Sequence, residues 1–226
     1  RDSHQFFQEV HSEKKELHFL DFTGPELQTL KKQAQEVYPL GGVFFLFFAK
    51  IALALVDTFN TPRDESLWAS VPHDKRKVGA KGPILGNQNT FLFFDIDVSM
   101  SVIDLAKRLH QQMKTYTQEK CFKKVDTLIN SLCYFNPGYN AKKIKGNNSN
   151  LGSFLFTQAP RNNSFFEDQQ AFPVASLFNL PPCPDNPGLT FSLHETQKGY
   201  TLIFQHKKEN TLPLDVDRLK KRLKFV

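Results

Sequence analysis

Ser149-Asn150-Leu151-Gly152 sets a hydroxyl beside an amide, after a polar loop (Lys142 to Asn148) and before an apolar run, Phe154-Leu155-Phe156. Positioning by hydrogen bond is the chemistry these two side chains offer. The plain alternative is a turn that leads into a strand, with Asn and Gly chosen for backbone reasons. Gly86-Asn87 stands upstream in a similar setting, also just before a strand-like run. Asn87 reads first as a buried amide that fixes its own loop, the usual work of a turn Asn. Lys75-Arg76-Lys77 offers three cations to phosphate groups. It reads first as a solvated loop, as most charge runs do. His4, His11 and His18 recur every seven residues. Helical metal ligands stand closer together, so this spacing predicts no site. His194 lies in a strand, where it could face a core or a channel, and reads first as an ordinary satisfied histidine. The three cysteines, Cys121, Cys133 and Cys183, lack metal-ligand spacing and a neighbouring His. A Gly-x-Ser-x-Gly elbow and a P-loop are both absent.

These residues hang on a series of expected elements. Leu17 to Phe22 reads as a strand buried on both faces. Thr23-Gly24-Pro25-Glu26 has the form of a capping box with Pro near the first turn, so a helix starts there and ends at Pro39. Gly41-Gly42 open a second helix, Val43 to about Phe59, apolar nearly all round and therefore buried. Further strands are expected over 67–71 and 91–98, with a loop over 73–86 between them. Ser99 or Ser101 caps a third helix with Val102, Leu105, Ala106, Leu109 and Met113 on one face. A short helix follows around 125–132, and a loop over 136–150. Strands are then expected over 152–157, 172–178, 189–195 and 200–206, the last two joined as a hairpin by Thr196-Gln197-Lys198-Gly199. A basic helix from Leu214 closes the chain. This order predicts an α/β domain, a layered mixed sheet with helices.

The totals limit the function classes. Of the 226 residues, 40% are hydrophobic, and 23 Phe stand against one Trp and five Tyr. Phe has no polar tip, so this usage predicts dry packing. The net charge of +6 is a mild excess of dispersed basic residues. No basic stripe is interleaved with aromatics, which argues against single-strand nucleic-acid binding. An odd number of cysteines without a pattern predicts reduced thiols and a cytoplasmic chain. The apolar run from Val43 to Val56 reads as a buried helix rather than a membrane span. Residues 1–15 read as a linker or the end of a preceding lobe, and residues 16–226 as one lobe. The opening at Arg1-Asp2-Ser3 reads as that of a fragment.

The layout resembles the C-terminal half of the condensation-domain and chloramphenicol-acetyltransferase-like acyltransferases, with the wax-ester-synthase branch looking most similar. The resemblance covers residues 17–224. Its landmarks are the strand and two helices of Leu17 to Phe59, the basic Ser70-Val71-Pro72-His73-Asp74-Lys75-Arg76 segment, Gly86-Asn87 before a strand, Ser149-Asn150-Leu151-Gly152 before another, and the closing strand, turn, strand and helix. The chain departs from that family twice. The branch carries Asn-Asp where this chain reads Pro39-Leu40-Gly41-Gly42. The family's His-His-x-x-x-Asp-Gly motif belongs to its N-terminal half; this chain has seven His, none adjacent to another, and no Asp-Gly.

The resemblance implies a chloramphenicol-acetyltransferase-like half-domain from a two-lobed enzyme. Acyl transfer from a thioester needs a base and oxyanion donors. The resemblance puts the base on an N-terminal lobe, so no catalytic residue lies in this chain. Ser149 and Asn150 would then line the substrate channel, with Gly86, Asn87 and Gly152 as structural residues. Lys75, Arg76 and Lys77 would meet the phosphates of coenzyme A or of a carrier's pantetheine arm. The thioester of coenzyme A or phosphopantetheine is a co-substrate, with no resident cofactor and no metal. Expected partners are the N-terminal lobe and an acyl-CoA or acyl-carrier protein, without nucleic acid or a transmembrane segment. A scaffold or protein-interaction module of the same fold that has lost catalysis is the alternative.

Overall fold

Alternation along six strands decides how this chain layers. The computed structural model describes residues 6, 14–65, 67–74, 89–118, 127, 152–159, 178, 180, 183, 187–207 and 214–225. The strands are β1 (Lys15–Phe22), β2 (Leu67–Asp74), β3 (Asn89–Ile96), β4 (Phe154–Gln158), β5 (Leu189–Thr196) and β6 (Gly199–Lys207). They form one sheet in the order β1-β6-β5-β4-β2-β3. β2, β4 and β5 run parallel, and the other pairings are antiparallel. On one face, Phe22, Leu67, Phe94, Phe154, Phe156, Phe191 and Phe204 join a single core with residues of all four described helices. These are α1 (Gly24–Val37), α2 (Gly42–Phe59), α3 (Val102–Gln118) and α4 (Val216–Phe225). The mixed α/β sheet with helices is the expected fold class.

α2 is the centre of that core. Phe47 meets Phe22 edge-on at 4.8 Å, and Phe44 stacks on Phe156 at 4.9 Å. By length and composition alone this helix would pass for a membrane span, yet 78% of it is buried inside the fold. Lys50 is buried within it, and that burial holds the ammonium below its ordinary value of 10.5. The unfolded chain therefore binds more protons than the folded one between the lowered value and 10.5. Stability contributed through Lys50 rises with pH across that window. Urea titrations from pH 7 to 10 should show Lys50→Met flattening the rise; an unchanged slope would contradict it.

Both sheet edges reflect their neighbours. β3 is covered by side chains of α3. Gln112 accepts from Asp95 N at 3.0 Å and donates to Asp95 O at 2.8 Å, and Tyr116 donates to Phe93 O. An otherwise open edge is thereby satisfied. Arg108 adds ion pairs to Asp95 (2.7 Å) and Asp97 (3.2 Å). Ser99 donates to Asp97 from its side chain and backbone, which holds the Asp97 carboxyl below its ordinary value. β1, the other edge, is not buried on both faces as its sequence predicts: Leu17 is 40% and Phe19 46% exposed. Only Leu20 and Phe22, on the helix side, are buried there.

Some local signals yield to distant ones. Thr23 makes no side-chain cap, so the expected capping box does not form. Its Glu26 pairs instead with Lys224 of α4 at 3.0 Å. Ser101 does cap α3, accepting from Asp104 N at 3.2 Å. β2 runs to Asp74, past the point where a loop was expected. Its register with β4 covers Ala69 and Ser70, so Pro72 stands beyond β4's reach, where a strand tolerates proline. The hairpin closes at Thr196↔Gly199 as expected. Phe6 packs on Phe59 at 5.1 Å. The expected strand over 172–178 and helix over 125–132 lie outside the described residues, apart from Phe178 and Thr127.

Candidate functional site

Gly152 is the one member of the Ser149-Asn150-Leu151-Gly152 signal among the described residues; Ser149 and Asn150 lie outside them, as do Lys75, Arg76, Lys77, Gly86 and Asn87. Gly152 has φ +113, which side chains with a Cβ rarely adopt. A Cβ there would stand 2.7 Å from Trp68 O. Ser153 N donates to that same carbonyl at 2.5 Å. Gly152 and Ser153 are thus clamped to the start of β2. A second anchor lies elsewhere: Asn89, where β3 begins, pairs with Asp74 at the far end of β2. Six steps along a strand separate the two anchors by roughly 20 Å.

The face of the sheet turned away from the helices buries polar side chains beside the apolar Leu155 and Ile203. Thr190, Ser192 and His194 alternate with the core residues Leu189, Phe191 and Leu193, and all are buried. Ser192 Oγ lies 2.8 Å from His194 Nε2. Phe178 meets the His194 ring edge-on at 5.3 Å. Beside it, Thr201 donates to Asp21 at 2.6 Å across the β6–β1 pair. Among the described residues, the buried hydroxyls of Ser70 and Thr190 have no hydrogen-bond partner. At the hairpin end this face opens into a cleft of about 460 Å³, walled by Phe19 and Phe178 and edged by Asp21, Lys198 and Thr201.

This arrangement can bind and orient a partly apolar ligand. It does not assemble a base–nucleophile pair open to substrate, because Ser192 and His194 are both enclosed and satisfy each other. His194 therefore faces the polar side of the sheet, not the core. The alternation of Thr190, Ser192 and His194 with apolar residues was the signal that could have placed it there. Cys183 is buried and donates to Gln205 O at 3.7 Å. It is no exposed nucleophile; Cys121 and Cys133 lie outside the described residues.

No protein-family model and no curated protein matches the chain. Solved structures do. The first condensation domain of the CDA synthetase superposes with a TM-score of 0.57 at 14% identity, over 93% of this chain and 43% of that one. The nonribosomal peptide synthetase FmoA3 superposes with a TM-score of 0.62 at 12% identity, over 98% of this chain and 22% of that one. The chain has a condensation-domain fold. The PapA2 acyl transferase shares it, with a TM-score of 0.55 at 13% identity over 93% of this chain and 43% of that one. The fold is that of the C-terminal half of such a domain, and the chain spans less than half the length of each of these neighbours.

Proposed function

We propose that this chain is the C-terminal lobe of an acyltransferase that moves an acyl group from a coenzyme A or carrier-protein thioester to a hydroxyl or amine. The half-length match carries the proposal: 93% of this chain covers only 43% of a condensation domain and of an acyl transferase. The remaining lobe would bring the histidine base, and this chain the opposite wall of the cleft. Ser149 and Asn150 would position substrate or oxyanion, just before the clamp that Gly152 and Ser153 make on Trp68. Lys75, Arg76 and Lys77 would meet the phosphates of the thioester's carrier. The synthetase neighbours favour a carrier protein as donor, and the acyl transferase leaves coenzyme A open. On this reading the reaction would run in the cytoplasm.

A second reading, a scaffold or interaction module without catalysis, draws on Pro39-Leu40-Gly41-Gly42, which stands where the wax-ester-synthase branch carries Asn-Asp, and on the missing His motif.

Turnover of acyl-CoA and acyl-carrier protein distinguishes the readings. The isolated 226-residue chain should be inactive, and the protein that includes an N-terminal lobe active. In the active protein, Ser149→Ala and Asn150→Ala should each lower kcat/KM by about 100-fold, the loss typical of an oxyanion donor. Their melting temperatures should stay near that of the parent. Activity and melting temperature falling together would assign both residues to a turn. An inactive two-lobed protein would favour the scaffold, and turnover by the isolated chain would overturn the two-lobe proposal.

A further inference from the structure

The helix-side face of the β1–β6 pair carries a cluster that the acyl-transfer reading does not use. Register sets Glu16 of β1 opposite His206 of β6, and His18 follows two residues along β1 on the same face. His18 Nε2 lies 3.2 Å from His206 Nε2. Glu16 Oε2 lies 3.5 Å from His206 Nε2 and 3.9 Å from His18 Nε2. The ring centroids are 5.3 Å apart, well beyond the nitrogens, so the two Nε2 edges face each other.

These are the separations of ligands around one ion. A tetrahedral ion about 2.0–2.1 Å from each nitrogen holds neighbouring donors about 3.3 Å apart. The site is also oriented from outside. His206 Nδ1 lies 3.1 Å from Lys207 O, and a carbonyl only accepts, so Nδ1 carries the hydrogen. In the neutral ring, Nε2 then presents its lone pair, and such an outer hydrogen bond is what fixes metal-bound histidines. Phe204 stacks on His18 at 4.8 Å and holds that ring from its flank. α4 brings Lys220 and Asp217 to the same corner, one charge of each sign.

We propose that Glu16, His18 and His206 bind one divalent transition-metal ion of the zinc type, with water in the fourth position. Imidazole and carboxylate ligands suit such an ion. Without metal, His18 Nε2–H donates to the His206 lone pair. On binding, His18 carries its hydrogen on Nδ1 and its Nε2 becomes a ligand. The ion ties the edge strand β1 to β6. Spacing along the chain predicts no metal site because His18 and His206 are 188 residues apart, and only register joins them.

The test is a titration of the chelator-treated full chain with Zn²⁺ and with Co²⁺. One ion per chain, a Co²⁺ spectrum of low coordination number and a raised melting temperature are expected. His18→Gln and His206→Gln should each weaken Zn²⁺ binding by at least about tenfold. Glu16→Gln keeps both imidazoles and the strand pairing, so it secures the test if a histidine variant fails to fold; it too should weaken binding. His110→Gln, on α3, should leave affinity unchanged. Failure of the native chain to bind one equivalent would overturn the site. So would binding that survives Glu16→Gln and a folded histidine variant unaltered.

Discussion

Gly42→Ala should lose at least about 3 kcal/mol of stability, whereas Gly41→Ala should lose no more than about 1 kcal/mol. The two glycines are adjacent, and only their surroundings differ. A Cβ at position 42 would lie 1.9 Å from Ala34 O and 2.8 Å from Ala34 C, both backbone atoms of α1. Backbone cannot rotate away as a side chain can, so α1 and α2 would have to part by more than 1 Å to restore ordinary contact at about 3.4 Å. The turn resists that separation. Tyr38 N donates to Ala34 O at 3.0 Å, and Gly42 N donates to Tyr38 O at 2.9 Å. At position 41 a Cβ would meet only ring carbons of Tyr38, at 3.6 and 3.8 Å. Urea unfolding of the two variants side by side reads the difference. Similar losses for both would show that the two helices do not cross this closely.

Gly42 also shows what was legible in the sequence. A paired glycine before an all-apolar run announced the start of a buried helix, and that helix forms. Why the second of the pair is glycine was not legible: the cause is the backbone of Ala34, on another helix. Local patterning carried the fold far because the period-two alternation in β5 and the all-round apolarity of α2 are each complete within one element. It failed where the deciding partner lies far along the chain. Glu26 looked like half of a capping box, but its partner is Lys224 on the last helix. Leu17 and Phe19 looked buried, yet β1 is an edge strand whose outer face opens on the cleft. For the candidate site, Gly152 was legible as a turn glycine, since a positive φ beside another strand calls for one. That Gly152 lies against Trp68 was not, because parallel pairing of β2 with β4 cannot be read from either strand alone.

Phe48→Ala should destabilise the chain by about 3–5 kcal/mol, the range for emptying a fully enclosed aromatic site. Phe48 is fully buried and touches four rings. It meets Phe94 of β3 edge-on at 5.3 Å and Phe154 of β4 edge-on at 5.9 Å. Phe156 of β4 is tilted against it at 5.2 Å, and Phe44, one turn earlier, lies at 6.0 Å. Edge-to-face pairs add to the burial of area, so the loss should exceed what volume alone predicts. Phe48→Leu keeps most of the apolar volume but no ring, and should fall between Phe48→Ala and the parent. Phe91→Ala, at an exposed position on the edge strand, should stay within about 1 kcal/mol. The ordering matters for function as well as stability. Phe154 begins the strand that follows Gly152, so the ring packing beneath it holds the clamp against Trp68 in place. A loosened core should therefore raise hydrogen exchange at Ser153 N before global unfolding sets in. If Phe48→Ala proved no worse than Phe91→Ala, α2 could not lie against β3 and β4, and the clamp would need another support.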